Sequence, residues 1–149
     1  MQHGRTRQRS RHRRPRRQLN RNSAKCADVW YASTADGAAV NSGNCNAGAN
    51  QQWVPTAVGS NYELVNVNSG KCLQISGAST ADGAVAVQST CTGASHQLWT
   101  KTAVIGGYVT FTNINSGKCL EVAGASTANG AALDQASCSA GTNQQWMIV

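Results

Sequence analysis

The side chains of this 149-residue chain with the widest chemical repertoire are six cysteines, three histidines and a set of amides that recur beside tryptophan. Cys26, Cys72 and Cys119 are each followed after 19 positions by a second cysteine, Cys45, Cys91 and Cys138. Six positions beyond each of these a Gln-x-Trp begins, at Gln51, Gln97 and Gln144. Thiolates could ligate a metal, but no pair has Cys-x-x-Cys spacing, and His3, His12 and His96 complete no ligand set, so neither metal nor cofactor is expected. Oxidation is the better reading. Equivalent repeats should pair equivalently, which removes most of the possible pairings, and the local choice is Cys26 with Cys45, Cys72 with Cys91 and Cys119 with Cys138. Such bridges imply an oxidising, extracellular setting. No two carboxylates stand at a spacing that suggests an acid/base couple, and His96 has no positioned partner in sequence, so no enzyme is expected.

The elements that carry these groups are three copies of one unit. Moving Lys71–Trp99 forward by 47 residues lands it on Lys118–Trp146, and moving it back by 46 lands it on Lys25–Trp53. A fixed period held three times marks a repeat architecture in which each unit needs its neighbours to bury its apolar face. Asp36-Gly37, Asp82-Gly83 and Asn129-Gly130 are hairpin-turn signals between short β-branched runs, and no window carries an apolar face at helical spacing. The class is all-β, with about four strands per repeat and about twelve in total, closed so that no sheet edge is left open. The repeats are placed at about 18–56, 57–102 and 103–149. Trp53, Trp99 and Trp146, in register after a strand, are read as core, while Gln51, Gln97 and Gln144 fit a structural and a ligand-contacting role equally.

Only 13% of the residues are charged, and the net charge of +7 is unevenly placed. Residues 1–17 contain eight arginines and no acid, against five basic and six acidic side chains in the remainder. Self-repulsion makes 1–17 a disordered tail, distinct from a domain at 18–149. It has no apolar segment to serve as a signal-peptide core. Where the first repeat should have a strand like Tyr62–Asn66 or Tyr108–Asn113 it has Arg16–Asn20, and the match resumes at Leu19, so the N-terminus reads as truncated or begun upstream of the domain. Nucleic acid is an unlikely partner except through this tail. No apolar run reaches the length of a membrane span.

The phrases Gly-Lys-Cys-Leu, Gly-Ala-Ser-Thr-Ala-Asp-Gly-Ala and Asn-Gln-Gln-Trp, repeated in register over about residues 19–149, resemble the ricin B-chain lectin family. The resemblance implies a β-trefoil with one potential sugar pocket per repeat, and a module of the kind attached to secreted glycoside hydrolases. Its pockets draw on a carboxylate two positions after the first cysteine, a polar residue four before the second, an aromatic two before it, and the amides leading into tryptophan. Carried over, the first repeat offers Asp28, Asn41, Asn50 and Gln51, the third Glu121, Asp134, Asn143 and Gln144, and the second Gln74, Val87, His96 and Gln97. Carboxylates accept strong hydrogen bonds from vicinal hydroxyls, and amides both donate and accept. The stacking aromatic is replaced by Gly43, Ser89 and Ala136, but the first repeat alone carries Trp30 and Tyr31 where the others have Ser76-Gly77 and Ala123-Gly124. One of these rings could serve as the platform, or Trp30 could instead cap the barrel. The expected function is non-catalytic binding of a plant-type polysaccharide or a galactose- or xylose-containing glycan by a monomer. The competing readings are a scaffold acting through protein contacts and a nucleic-acid binder using the tail.

Overall fold

Alternation of apolar and polar residues between tight turns gives each repeat four short strands. In the computed structural model, which describes residues 14–149, the first repeat forms β1 (Gln18–Asn20), β2 (Cys26–Val29), β3 (Val40–Gly43) and β4 (Trp53–Val58). The second forms β5 (Asn61–Asn66), β6 (Cys72–Ile75), β7 (Ala86–Ser89) and β8 (Trp99–Val104). The third forms β9 (Tyr108–Asn113), β10 (Cys119–Val122), β11 (Leu133–Ala136) and β12 (Trp146–Ile148). Among the described residues the remaining elements are single 3₁₀ turns. A hook follows each second strand, at Trp30–Ala32, Ser76–Ala78 and Ala123–Ala125, and a brace precedes each fourth, at Ala49–Gln51, Ser95–Gln97 and Thr142–Gln144.

Strands β1, β4, β5, β8, β9 and β12 form a barrel. β4 pairs with β5, β8 with β9 and β12 with β1, and these pairs are joined through Tyr62↔Trp99, Val109↔Trp146 and Arg16↔Trp53. The other strands make three hairpins, β2·β3, β6·β7 and β10·β11, stitched together at Ala39↔Val87, Val85↔Asp134 and Asn41↔Ala132. A six-stranded barrel capped by a hairpin triplet is the β-trefoil that the resemblance implies. Trp53, Trp99 and Trp146 are fully buried, and each indole N–H reaches a backbone oxygen, of Ala27 at 3.2 Å, Leu73 at 3.1 Å and Leu120 at 3.1 Å. This satisfies the one polar atom that a buried tryptophan brings into a core. The three disulfides connect the cysteines within each repeat, with Cα separations of 5.0 to 5.1 Å.

Backbone pairing with the barrel begins two residues before β1, within the arginine-rich segment. Arg16 exchanges both backbone hydrogen bonds with Trp53 at 2.9 Å, and Arg17 pairs in the same way with Val149 at 2.7 and 3.0 Å. These two residues, assigned from sequence to the tail, therefore complete the barrel. A ladder formed by main-chain groups accepts an arginine whose side chain can turn to solvent. Residues 1–13 of the expected tail, with His3 and His12, lie outside the described residues.

The same strand carries an anomaly. Gln18 occupies the position held by Leu64 and Phe111 in the other repeats; all three are 1% exposed, and neither side-chain polar atom of Gln18 has a hydrogen-bond partner. A buried, unpaired amide costs about 1–3 kcal/mol. Gln18→Leu is therefore expected to raise stability by about 1–3 kcal/mol in urea unfolding. An unchanged or lowered midpoint would show that the amide is satisfied.

Candidate functional site

The best-formed cluster lies where β2, β3 and the first brace meet. Asp28 on β2 is opposed by Asn41 on β3 and is 8% exposed. Its Oδ1 accepts from Asn50 Nδ2 at 2.9 Å and its Oδ2 from Gln51 Nε2 at 2.8 Å. Burial pushes the Asp28 carboxyl above the usual carboxylate range, and the Gln51 and Asn50 hydrogen bonds pull partly against it. Gln51 is itself fully buried. Its Nε2 also donates to the Asn44 carbonyl at 2.8 Å, and its Oε1 accepts from Asn46 N–H at 2.8 Å.

The glutamine of each Gln-x-Trp is thus a brace. Gln97 and Gln144 repeat its bonds through Thr90 and Thr92 and through Ser137 and Ser139, and each offers N–H to the group at the pocket floor, Gln74 Oε1 at 2.9 Å and Glu121 Oε1 at 3.1 Å. The internal hydrogen bonds of these three residues orient the floor group from below.

No aromatic stands two positions before Cys45, where the residue is Gly43. A Cβ at Gly43 would stand 2.8 Å from Asp28 Oδ2 and 3.2 Å from its Cβ, so a side chain there would require the carboxylate to shift. The two aromatics of the first hook are placed differently from one another. The Trp30 ring leans across the seam to the third repeat, where a Cβ on Gly130 would lie 3.4 Å from it. Tyr31 is 90% exposed and meets the Trp30 ring only edge-on, with centroids 5.8 Å apart. It also sits at φ 58°, where Gly77 and Gly124 hold φ 63° and 61° in the other hooks. A tyrosine in the left-handed region carries strain that glycine avoids. The hook is tied to the cluster because Asn50 Nδ2 also donates to Val29 O, one residue before Trp30, at 3.1 Å.

The third repeat brings together Glu121, Asp134, Asn143 and Gln144. Asn143 Nδ2 donates to Val122 O at 3.2 Å and approaches Glu121 Oε1 at 3.4 Å. Glu121 and Asp134 are directly opposed across β10 and β11. Sequence spacing indicates no carboxylate couple because these two lie 13 positions apart and meet only through the strand register. In the second repeat Gln74 faces buried Val87, and the half-buried His96 contributes its backbone oxygen to Asn113 Nδ2 at 3.0 Å.

The chain matches the family model described as "Ricin-type beta-trefoil lectin domain-like" over residues 18–88, 54–113 and 97–149. No curated protein sequence matches it. The designed three-fold symmetric protein ThreeFoil is 41% identical, with a TM-score of 0.89 over 91% of this chain and 97% of that one. The exo-β-1,3-galactanase 1,3Gal43A from Clostridium thermocellum is 34% identical, with a TM-score of 0.88 over 91% of this chain, which spans 30% of the galactanase chain. The Macrolepiota procera ricin B-like lectin, solved in complex with lactose, shares the fold at 20% identity, with a TM-score of 0.79 over 91% of this chain and 94% of that one.

Proposed function

Because the chain belongs to the ricin-type β-trefoil lectin-like family, we propose that it binds carbohydrate without catalysis, with the first-repeat cluster as its principal pocket. The observation that carries this reading is the pairing of Asp28, held by two amide donors, with Tyr31, kept exposed and strained on the adjoining hook. Each Asp28 oxygen accepts one internal hydrogen bond and so retains capacity for a sugar hydroxyl. Asn41, on the opposing strand, adds a group that both donates and accepts. The Tyr31 ring supplies a face for the apolar side of a pyranose, and Trp30 secures the hook against Gly130. Glu121 with Asp134 and Asn143 forms a second pocket, while Gln74, Val87 and His96 form the weakest.

The ligand class we assign is a galactose- or xylose-containing plant-type polysaccharide. Support comes from the lactose complex of the Macrolepiota lectin and from the galactanase that contains a similar domain. We further propose that the chain is a monomeric, extracellular module or fragment of a glycan-degrading enzyme, a reading supported by the similar domain in the galactanase and by the three disulfides.

Tyr31→Gly separates a binding role from a structural one. Relief of the left-handed strain is expected to leave stability unchanged or raise it by up to about 1 kcal/mol. Loss of the ring is expected to weaken galactan or xylan fragments by about 2- to 10-fold, the worth of one aromatic contact. Calorimetric titration that finds unchanged affinity for every fragment would remove Tyr31 from the pocket.

A further inference from the structure

The third repeat holds a pair that neither other repeat has. Asp28 faces Asn41 and Gln74 faces Val87, whereas Glu121 faces a second acid, Asp134. Two carboxyl groups hydrogen-bond only through a proton carried by one of them. Asp134 is 8% exposed and its Oδ1 is buried with no partner. A carboxylate oxygen in that position would bear the full cost of an unsatisfied charge, so burial favours the neutral form of Asp134. Glu121 is braced from its other side, where Oε1 accepts from Gln144 at 3.1 Å and lies 3.4 Å from Asn143. The charged groups that face Asp134 are Glu121 on β10 and Asp82 on the loop before β7, with Lys118 Nζ 3.9 Å from Asp82. The other elements packed on β11, namely β3, β7 and the Ala123–Ala125 hook, carry no titratable side chain.

We propose that this pair is a proton-linked latch on the third pocket: one proton is shared between Asp134 and Glu121 when the pocket is empty, and a sugar diol that donates to both carboxyls displaces it. The inference rests on the carbohydrate reading. The hydroxyls supply the hydrogen bonds that the shared proton had made, and the proton passes to water, so binding releases one proton. By linkage, affinity falls by up to about tenfold per pH unit below the pH at which the empty pair ionises. Burial first, then Glu121 and Asp82, push the Asp134 carboxyl up to about 7. The third pocket is therefore weak in acid and strong in mild alkali, while the first, with one acid opposite neutral Asn41, changes less.

The test compares the protein with Asp134→Asn, a residue the equivalent position 41 already accommodates. Galactan fragments are titrated at about pH 5.5 and 8 and read on the side-chain amide NMR signals of Asn143 and Gln144, with those of Asn50 and Gln51 as the first-pocket control. Third-pocket affinity is expected to be at least about fivefold weaker at the lower pH in the parent and to change less than about twofold in the variant. A flat parent profile, or a variant that keeps the parent's slope, overturns the latch.

A ligand-free arm reads the proton alone. The unfolded chain releases it near pH 4, whereas the folded chain holds it to about 7. In that window the folded state binds more protons, so stability falls as pH rises, and Asp134→Asn should lose that part of the slope. Equal slopes would overturn the shared proton. If no fragment moves any signal at either pH, the carbohydrate reading fails, and the two slopes still decide the proton.

Discussion

Reduction of the three disulfides is expected to lower the midpoint of thermal unfolding by tens of degrees. Each bridge closes a loop of sequence separation 19, and constraint of the unfolded chain at that length contributes about 3 kcal/mol on the entropy model. Three such bridges contribute about 9 kcal/mol, comparable with the whole stability of an ordinary domain, about 5–15 kcal/mol. At roughly 2–4 °C per kcal/mol for a chain of this size, the fall is about 20–35 °C. Residual structure in the reduced chain acts to shrink that figure. The first bridge has a second effect. Cys26 lies two residues before Asp28, and Cys45 lies beside Asn44, whose carbonyl holds Gln51, so opening Cys26–Cys45 is expected to loosen the pocket floor before the barrel melts. Calorimetry with and without reductant measures the first effect, and sugar titration of a Cys26→Ala/Cys45→Ala variant measures the second. A reduced protein melting within a few degrees of the oxidised one would show that the repeats hold together by packing alone.

What could be read in the sequence was whatever the repeat period imposes. The cysteines, the turn pairs and Gln-x-Trp keep their spacing because each repeat must present the same strand, bridge and buried indole to a three-fold core, so pairing and strand number follow from periodicity. Contacts that break the three-fold pattern were not legible. Arg16 closes the barrel through main-chain bonds that carry no residue signature, and Gln18 enters the core because its strand neighbours place it there. Ser42 stands where Gln88 and Gln135 clamp the preceding repeat, through Ser33 and Ala35 and through Ser79 and Ala81; its own Oγ is buried without a partner. The seam between the third and first repeats therefore lacks that clamp, and Trp30 covers it by lying against Gly130. The candidate site was legible as a set of positions but not as a set of roles. Gln51 and Asp28 fall in the same motif, yet only the fold shows that one is a buried brace and the other its charge. Gly43 could be read as a missing platform, but not as a position packed against the Asp28 carboxylate.

Asp28→Ala is expected to abolish measurable binding at the first pocket while leaving the fold in place. Each amide that holds the carboxylate keeps one acceptor when it is removed, Asn50 the Val29 carbonyl and Gln51 the Asn44 carbonyl, but the second N–H of buried Gln51 loses its partner. The orphaned N–H costs about 1–3 kcal/mol of stability, less than the whole stability of an ordinary domain, so binding is compared under conditions where the variant is folded. A carboxylate that accepts from sugar hydroxyls contributes about 1.5–3 kcal/mol, roughly 10- to 100-fold in affinity. A single pocket of this kind binds in the roughly millimolar range, about 4 kcal/mol, so a loss of that size takes it out of reach of titration. Glu121→Ala is expected to reduce binding less, because Asp134 opposite it supplies a second carboxyl, and Gln74→Ala least, because Gln74 is neutral and faces Val87. Polymeric galactan or xylan should lose more than oligomers in the Asp28 variant if two pockets engage one chain, since the second contact then acts at high effective concentration. Parallel titration of the three variants with galactan, xylan and arabinan fragments gives the ranking. If Gln74→Ala were the most damaging, the assignment of the principal pocket to Asp28 and Tyr31 would be wrong.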